Sequence, residues 1–370
     1  MDSQQEDAAH MALALRLARK GLGATSPNPA VGAVVVAQGE VVGTGWHRRA
    51  GTAHAEVIAL GAAGQAARGG TLYVTLEPCS HHGRTPPCVD AVLAAGVARV
   101  VAALVDPDPR VGGRGSAALT AAGVEVDIGV GRAGAEALNE AYLLHRRQGR
   151  PFVTGKWAAS ADGAIAAVDR TSQWITGPAA RRDAHRLRAA SDAVCVGVGT
   201  VLADNPTLTP RDVPARRFPL RVVVDSRGRT PPEANVVNGE APTLIAVTPA
   251  APAASVKALT AAGAEVLELP AKRGRVALPA LLHALGDRGV VSMLLEGGAH
   301  LAGSFAANGL VDRYLVYVAP MLLGGDGLRA FEGWSIATIA EAPRLSFRSV
   351  RRIGDDLRLE LRPQRRPGEG

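Results

Sequence analysis

The sequence has few cysteines and no long hydrophobic run. Three cysteines in 370 residues are too few for a disulfide-stabilised scaffold, so clustered cysteines are better suited to metal binding or catalysis. No apolar stretch reaches the length of a membrane span. The N-terminus lacks a basic segment followed by an apolar run, which argues against a secretory signal. We therefore expect a cytoplasmic protein with no membrane partner.

Aromatic residues are also scarce, at 4% against 47% for all hydrophobic residues, so the cores must be built mainly from Ala, Val and Leu. The length favours two domains. A net charge of +7, from 41 basic and 34 acidic residues, suits either nucleic acid or phosphorylated small molecules. No run of Lys and Arg alternates with aromatics as in a single-strand binding platform. We therefore expect a phosphorylated substrate and no nucleic acid.

Alternating helical and strand patterns predict an α/β fold on both sides of a connection at 147–151. Near the start, "DAAHMALALRLARKG" predicts a helix that ends at Gly21. It is followed by "VGAVVVAQGEVVGTGW", which predicts a hairpin turning at Gln38-Gly39. "GAEALNEAYLLHRR" predicts one final helix before the connection. The tail "RLSFRSVRRIGDDLRLELRP" predicts an antiparallel strand pair.

Metal-binding residue types cluster in "HAE" at 54–56 and in "EPCSHHGRTPPC" at 77–88. One imidazole and two thiolates, from His54, Cys79 and Cys88, leave a tetrahedral zinc one position for water. Zinc lowers the pKa of such a water to roughly 7, and Glu56 could move its proton to a leaving amine. This is the pattern of zinc deaminases of nucleobases, although eight residues, instead of the usual two, separate the cysteines.

Two other interpretations of the cysteines remain open. His81 or His82 would complete a structural zinc site as a fourth protein ligand. The cysteines could also be a buried thiol pair without metal, although the loop between them is polar. A structural site would have no use for Glu56 as an acid that does not bind the metal.

Two polar residues upstream are candidates for a pocket. Asn28 lies between prolines in "SPNP", which hold it in an extended turn before a strand. Its amide offers a donor and an acceptor to a pyrimidine edge. His47 ends a predicted strand. The alternatives are a plain turn asparagine and a surface histidine.

These motifs resemble the bifunctional deaminase/reductase family of riboflavin biosynthesis. The first half carries "TSPNPAVGAVVV", "GWHRRAGTAHAEVIAL" and "YVTLEPCSHHGRTPPCVDAVLAAGVARVV", and the long loop between the cysteines is typical of this family. The second half carries "GKWAASADGAIA", "SQWITGPAARRDAHRLRAASDAV", "VGTVLADNPTLTPR", "VVVDSRGR" and "LLEGGAHLAGS". The resemblance implies an α/β chain in which a cytidine-deaminase-like α/β/α domain, residues 1–147, precedes a dihydrofolate-reductase-like α/β domain, residues 151–363.

The resemblance also implies two reactions, with Zn²⁺ and NADPH as cofactors. The first hydrolyses the 2-amine of 2,5-diamino-6-ribosylamino-4(3H)-pyrimidinone 5′-phosphate. The second reduces the ribosyl side chain to ribityl, which gives 5-amino-6-ribitylamino-uracil 5′-phosphate. A homodimer or higher homo-oligomer is expected. The rival hypotheses are a deaminase acting on nucleic acid and a zinc-stabilised binding protein without activity.

Site residues follow from the resemblance at matched positions. It assigns zinc to His54, Cys79 and Cys88, and proton transfer to Glu56. It assigns the deaminase substrate to Asn28, His47 and the His81–Arg84 stretch. The cofactor contacts are Ala158, Trp174, Thr200, Asp204, Ser226, Gly298, Ala299, His300, Leu301, Ala302, Gly303 and Ser304. The reductase substrate contacts are Ser172, Arg188, Leu208, Arg211 and Glu296.

Physical arguments support part of the reductase assignment. A double glycine before a helix lets the backbone approach a pyrophosphate, and arginines suit a phosphomonoester. Lys156 is alone in an apolar strand, and we predict that it protonates or orients the sugar during ring opening. Arg227 and Arg229 are candidates for the 2′-phosphate of NADPH. Core or surface positions are predicted for Cys195, His10, His145, His185 and His283.

Overall fold

The computed structural model describes residues 3–82, 86–108 and 112–364. The chain divides into two compact units, Met1–Gly149 and Arg150–Gly370. In the described ranges, every helix is too short or too polar to cross a membrane.

The first unit is a five-stranded sheet with helices. Its strands have the order β2-β1-β3-β4-β5. Strand β1 is antiparallel to its neighbours β2 and β3, whereas β3, β4 and β5 are parallel to one another. The elements are α1 (Ser3–Ala18), β1 (Gly32–Ala37), β2 (Glu40–Trp46), α2 (Ala55–Ala63), β3 (Thr71–Val74), α3 (Cys88–Ala95), β4 (Arg99–Ala102), α4 (Arg114–Ala121), β5 (Glu125–Ile128), α5 (Arg132–Leu138) and α6 (Glu140–Gln148).

The predicted hairpin is confirmed, because β1 and β2 pair around Gln38-Gly39, where both residues have positive φ, 52° and 81°, as a tight two-residue turn requires. The first helix ends earlier than predicted. It stops at Ala18, and a 3-10 turn continues to Gly21. A side chain on Gly21 would lie 2.6 Å from the carbonyl oxygen of His47, so this glycine permits close packing and does not cap the helix.

The single helix predicted from "GAEALNEAYLLHRR" is wrong, because the chain breaks there into α5 and α6 at Asn139. The Asn139 side chain accepts a hydrogen bond from the amide of Ala30 at 2.9 Å and donates one to its carbonyl at 3.0 Å. Ala30 is 109 residues away in sequence, so helical spacing alone could not reveal this bond.

Glycines of β2 fix the position of α2. A methyl group on Gly43 would lie 2.2 Å from the carbonyl oxygen of Ala59, and one on Gly45 would lie 2.4 Å from that of Ala55. Real side chains never come so close, so the helix backbone rests directly on the strand. The first turn of α2 carries Glu56 and directly follows His54. The strand glycines therefore set the position of both residues.

The second unit is built on a nine-stranded sheet. Its order is β11-β10-β9-β8-β14-β6-β15-β18-β17. The elements are β6 (Phe152–Ser160), β7 (Ala164–Ala166), α7 (Pro178–Ala190), β8 (Ala193–Gly197), α8 (Val198–Asp204), β9 (Leu220–Val224), β10 (Thr243–Val247), α9 (Ala253–Ala261), β11 (Glu265–Glu268), β12 (Ala271–Lys272), β13 (Arg275–Val276), α10 (Leu278–Asp287), β14 (Ser292–Glu296), α11 (Ala299–Ala307), β15 (Arg313–Ala319), β16 (Leu328–Arg329), β17 (Leu345–Ile353) and β18 (Asp356–Pro363).

Two hydrophobic cores cover opposite faces of this sheet. Successive residues of a strand alternate between them: Cys195 lies in one core and Val196 in the other. Cys195 is fully buried, as predicted. The seven neighbouring strands of this sheet that begin with β11 and end with β15 are all parallel. Strands β17 and β18 form the predicted antiparallel pair. The carboxyl ends of the parallel strands meet at one edge, where a ligand site is expected.

Replacement of Gly45 by alanine should destabilise the first unit. Overpacking of this kind costs about 1–3 kcal/mol, because the added methyl group must displace α2. The matched control is Gly61→Ala on the same helix, where a side chain would meet nothing within 4 Å and better helix propensity would add up to about 1 kcal/mol. Urea denaturation of the full-length protein measures both. Equal stabilities for the two variants would contradict the close packing of α2 on β2.

Candidate functional site

Three potential metal ligands meet where two helices begin. His54 directly precedes α2, and Cys88 is the first residue of α3. Cys79 lies in the loop that follows β3. The ligand atoms of these three residues all lie within 4.8 Å of one another, with 3.1 Å between His54 Nδ1 and Cys88 Sγ and 3.6 Å between His54 Nδ1 and Cys79 Sγ.

The chemistry of these donors fits zinc. A hydrogen bond from Cys88 and the neighbouring His54 lower the pKa of the Cys79 thiol, while the same hydrogen bond raises the pKa of Cys88, so Cys79 is the thiol that ionises first. Thiolate and imidazole are soft ligands that select zinc over harder cations. Among the described residues, neither His81 nor His82 belongs to this group of donors. Three protein ligands favour a catalytic site over a structural one.

Glu56 lies beside the donors without being one of them. Its side chain is 3% exposed, and burial raises the pKa of its carboxyl. A carboxyl with a raised pKa can both accept and release a proton near neutral pH. Glu56 is therefore suited to proton transfer at this site.

Asn28 and His47 are connected by a hydrogen bond. The Ala53 carbonyl can only accept, so His47 Nδ1 donates to it, at 3.1 Å. Burial lowers the pKa of His47, so the ring is neutral and its Nε2 accepts from Asn28 Nδ2, at 3.2 Å. One amide hydrogen of Asn28 is thereby used, and the amide orientation is fixed. The amide oxygen and the second hydrogen remain available to a ligand.

Glu77, in the "EPC" motif, supports the loop that carries Cys79. Its carboxylate accepts backbone hydrogen bonds from Gly113 at 2.9 Å and from Ser116 at 2.8 Å. A side chain on Gly115 would lie 1.9 Å from the Pro78 carbonyl oxygen. The start of α4 is thus held against this loop, and Glu77 has a structural role here.

A cavity of about 300 Å³ opens onto these groups. Of the predicted residues, Asn28, His47, His54, Glu56, Cys79 and His81 line it, while Arg84 lies outside the described residues. Six polar residues of its lining were not among the predicted site residues, and these are Thr52, Glu77, Asp106, Asp108, Tyr142 and Arg146. A signal existed for two of them, since "VDPDP" follows directly after a parallel strand.

In the second unit, a cavity of about 480 Å³ contains the glycine turn. Gly297 and Gly298 have φ of 67° and 78°, and a side chain on either would lie 3.2 Å from Thr200 Oγ1. Backbone can therefore approach a ligand closely at the start of α11. The predicted cofactor residues that line this cavity are Thr200, Ser226, Gly298, Ala299, His300, Leu301 and Ser304.

A neighbouring cavity of about 520 Å³ contains the other predicted reductase residues. The two cavities share Thr200. The predicted residues in this lining are Lys156, Ala158, Ser172, Trp174, Arg188, Thr200, Asp204, Leu208, Arg211 and Glu296.

Two predicted cofactor residues line neither of these two cavities. Ala302 lines a much smaller cavity, which shares Gly298 and Ala299 with the first and Lys156 and Gly297 with the second. Gly303 lines none of the three, and a side chain there would lie 2.3 Å from the carbonyl oxygen of Glu332. The glycine is needed for this packing.

Arg188 and Glu296 bind each other. Nε and Nη2 of the guanidinium donate to the two carboxylate oxygens, each at 2.8 Å. Burial alone would raise the pKa of Glu296, but Arg188 lowers it to about 2. The pair is thus ionised at neutral pH, and Arg188 is held in one orientation.

Lys156 lies next to this pair, because β6 and β14 pair Lys156 with Glu296. Its ammonium group is 5.7 Å from the ring centre of Tyr317. Burial lowers the pKa of Lys156, although Glu296 opposes this effect. An ammonium with a lowered pKa releases its proton more readily than a surface lysine.

His185 was predicted as an ordinary core or surface residue, but it lines the same cavity. Its Nδ1 accepts a hydrogen bond from the backbone amide of Arg211 at 3.2 Å. The two residues are 26 positions apart, so sequence spacing did not reveal the contact.

Comparisons with known proteins cover both units. Residues 4–104 match the family described as cytidine and deoxycytidylate deaminase zinc-binding region, which supports His54, Cys79 and Cys88 as the zinc site. Residues 151–359 match the RibD C-terminal domain. These matches confirm the expected fold class, a cytidine-deaminase-like domain followed by a dihydrofolate-reductase-like domain.

Similarity to individual proteins extends over nearly the whole chain. The chain is 44% identical to riboflavin biosynthesis protein RibD of Escherichia coli, over 96% of this chain and 99% of that protein. It is 38% identical to the solved structure of Acinetobacter baumannii RibD, with a TM-score of 0.90 and coverage of 98% and 100%.

A second solved structure, from Thermotoga maritima, is described as a diaminohydroxyphosphoribosylaminopyrimidine deaminase/5-amino-6-(5-phosphoribosylamino)uracil reductase. The chain is 33% identical to it, with a TM-score of 0.85 and coverage of 98% and 99%. Both halves of the chain match these proteins in the same order along the sequence. The chain therefore belongs to the RibD family, the bifunctional deaminase/reductases of riboflavin biosynthesis.

Proposed function

We propose that the first unit deaminates 2,5-diamino-6-ribosylamino-4(3H)-pyrimidinone 5′-phosphate and that the second reduces the ribosyl group of the product to ribityl. The observation that carries the proposal is a set of three metal donors beside a buried acid that is not one of them. This arrangement suits a hydrolytic step, in which a proton must move from water to a leaving amine.

In the first step, His54, Cys79 and Cys88 would hold zinc, which supplies Lewis acidity that makes water nucleophilic at neutral pH. The Glu56 carboxylate accepts the proton of the attacking water and passes it to the 2-amino nitrogen. The carbon–nitrogen bond then breaks, ammonia leaves, and the carbonyl oxygen of the product comes from water. The raised pKa of Glu56 favours acceptance of the proton from water.

Asn28 is proposed to orient the pyrimidine. Its amide is held by neutral His47, which is itself held by the Ala53 carbonyl. The remaining amide oxygen and hydrogen can pair with an N–H and a carbonyl on the edge of the ring. Recognition would thus depend on a chain of two hydrogen bonds that fixes the amide before the substrate arrives.

In the second step, NADPH bound in the second unit would supply a hydride to the sugar carbon that bears the nitrogen. We propose that Lys156 Nζ gives a proton to the ring oxygen as the carbon–oxygen bond opens, which leaves a hydroxyl group. Burial and the charge of Arg188 lower the pKa of Lys156, and Glu296 opposes this effect, so the ammonium releases its proton more readily than a surface lysine.

The substrate phosphate is proposed to bind Arg211. Two donor nitrogens of Arg188 are already used by Glu296. The side chain of Arg211 lines the same cavity and has no hydrogen-bonding partner in the described ranges. The proposed cofactor contacts are the residues of the adjoining cavity, with Arg227 and Arg229 near the 2′-phosphate. Cytoplasmic location and homo-oligomer formation remain predictions.

Replacement of Glu56 by glutamine should abolish deamination selectively. Loss of a general acid–base group costs about 10²–10⁴ in rate, while the three metal donors remain. Ammonia release measures the loss, elemental analysis measures zinc, and NADPH oxidation with deaminated substrate is the internal control. Deamination at the wild-type rate by a zinc-loaded variant would refute the role of Glu56.

Replacement of Lys156 by methionine should reduce NADPH oxidation by about 10²-fold or more, because the variant keeps the side-chain length but has no proton to give. Ammonia release should remain at the wild-type level, since it belongs to the other unit. Stopped-flow absorbance with predeaminated substrate is the assay. If NADPH oxidation is unchanged, Lys156 does not supply the proton.

A further inference from the structure

The hairpin formed by β12 and β13 contributes two arginines to the cavity of the glycine turn. Arg273 and Gly274 form its two-residue turn, with φ of 53° and 72°, and Arg275 begins the return strand. Arg273 and Arg275 line the cavity together with Arg227 and Arg229. The hairpin is not among the motifs that the family resemblance assigned.

The base of this hairpin is fixed to the end of β9. The amide of Val276 donates to Ser226 Oγ at 3.0 Å, and the Val276 side chain is buried in the core. The amide of Ala277 donates to the Pro270 carbonyl at 2.9 Å. The arginines are therefore carried by an anchored element next to Ser226.

The ionised side chains that line this cavity are all positively charged. Among the described residues that line it there is no aspartate or glutamate, against four arginines. None of the four guanidinium groups has an ion pair or a hydrogen bond within the described ranges. A cluster of unpaired guanidinium groups suits a phosphate, since each can donate charge-assisted hydrogen bonds.

The order of strands indicates which phosphate would bind there. Lys156 is on β6, next to β14, and the glycine turn follows β14. On the other side, β8 and then β9 follow, so the end of β9 is about 10 Å from that of β14. A dinucleotide with its reactive ring near Lys156 and its pyrophosphate at the start of α11 would place its adenosine near β9.

We propose that Arg273 and Arg275 bind the phosphomonoester on the adenosine ribose and so select NADPH over NADH, jointly with Arg227 and Arg229. This inference rests on the proposal that the dinucleotide lies in this cavity. The hairpin would then act as a specificity element that is separate from the groups that take part in hydride transfer.

Calorimetric titration of the full-length protein with NADP⁺ and with NAD⁺ tests the inference without any turnover. Arg273→Ala and Arg275→Ala should each weaken NADP⁺ binding by about tenfold, as expected for loss of a hydrogen bond to a charged group, and leave NAD⁺ binding within about twofold. The same contrast should hold for adenosine 2′,5′-bisphosphate against 5′-AMP. Lys272→Ala is the matched control, because Lys272 pairs with Arg275 across the hairpin but does not line the cavity.

Other results would overturn the inference. Unchanged NADP⁺ affinity in both hairpin variants, or equal losses of affinity for NADP⁺ and NAD⁺, would show that the hairpin does not bind the 2′-phosphate. If only an Arg227→Ala/Arg229→Ala variant lost selectivity, the hairpin inference would fail and the proposed cofactor site would stand. A wild-type protein that binds both dinucleotides equally would contradict the proposed cofactor as well.

Discussion

The deaminase site depends on the direct contact between helix α2 and the glycines of strand β2. Gly43 and Gly45 allow the helix backbone to rest on the strand, and this contact sets where the helix begins. His54 precedes that first turn and Glu56 lies within it. A metal ligand and a proton-transfer group two residues apart therefore owe their positions to residues that touch neither the metal nor the substrate.

The parts of this site that lie in short motifs were predictable from the sequence. His54, Glu56, Cys79 and Cys88 were identified by residue type and spacing, because helix starts and strand ends bring such motifs together in a predictable way. Arg146 and the structural role of Glu77 were missed. Their contacts span 29 to 39 residues, and no local pattern reports which backbone amides a carboxylate will meet.

The same distinction holds for the fold and for the reductase unit. The β1–β2 hairpin, the β17–β18 pair and the alternation of strands and helices were predictable from local periodicity. The break at Asn139 was not, because a bond to a residue 109 positions away causes it. Arg188 and Glu296 were both assigned to the reductase substrate, but their bidentate pairing across 108 residues was not foreseen, and it changes what Arg188 can offer to a phosphate. In both cases a contact between residues more than 100 positions apart determined the structure, and no local motif contains such a contact.

We expect the zinc ion to have three protein ligands, His54, Cys79 and Cys88, with Glu56 not among them. X-ray absorption spectroscopy at the zinc edge of the purified full-length protein measures this directly. The account predicts one zinc per chain, with two sulfur ligands, the multiple scattering of a single imidazole, and one further light atom. Two imidazoles with two sulfurs, or purified protein that deaminates fully without metal, would contradict it.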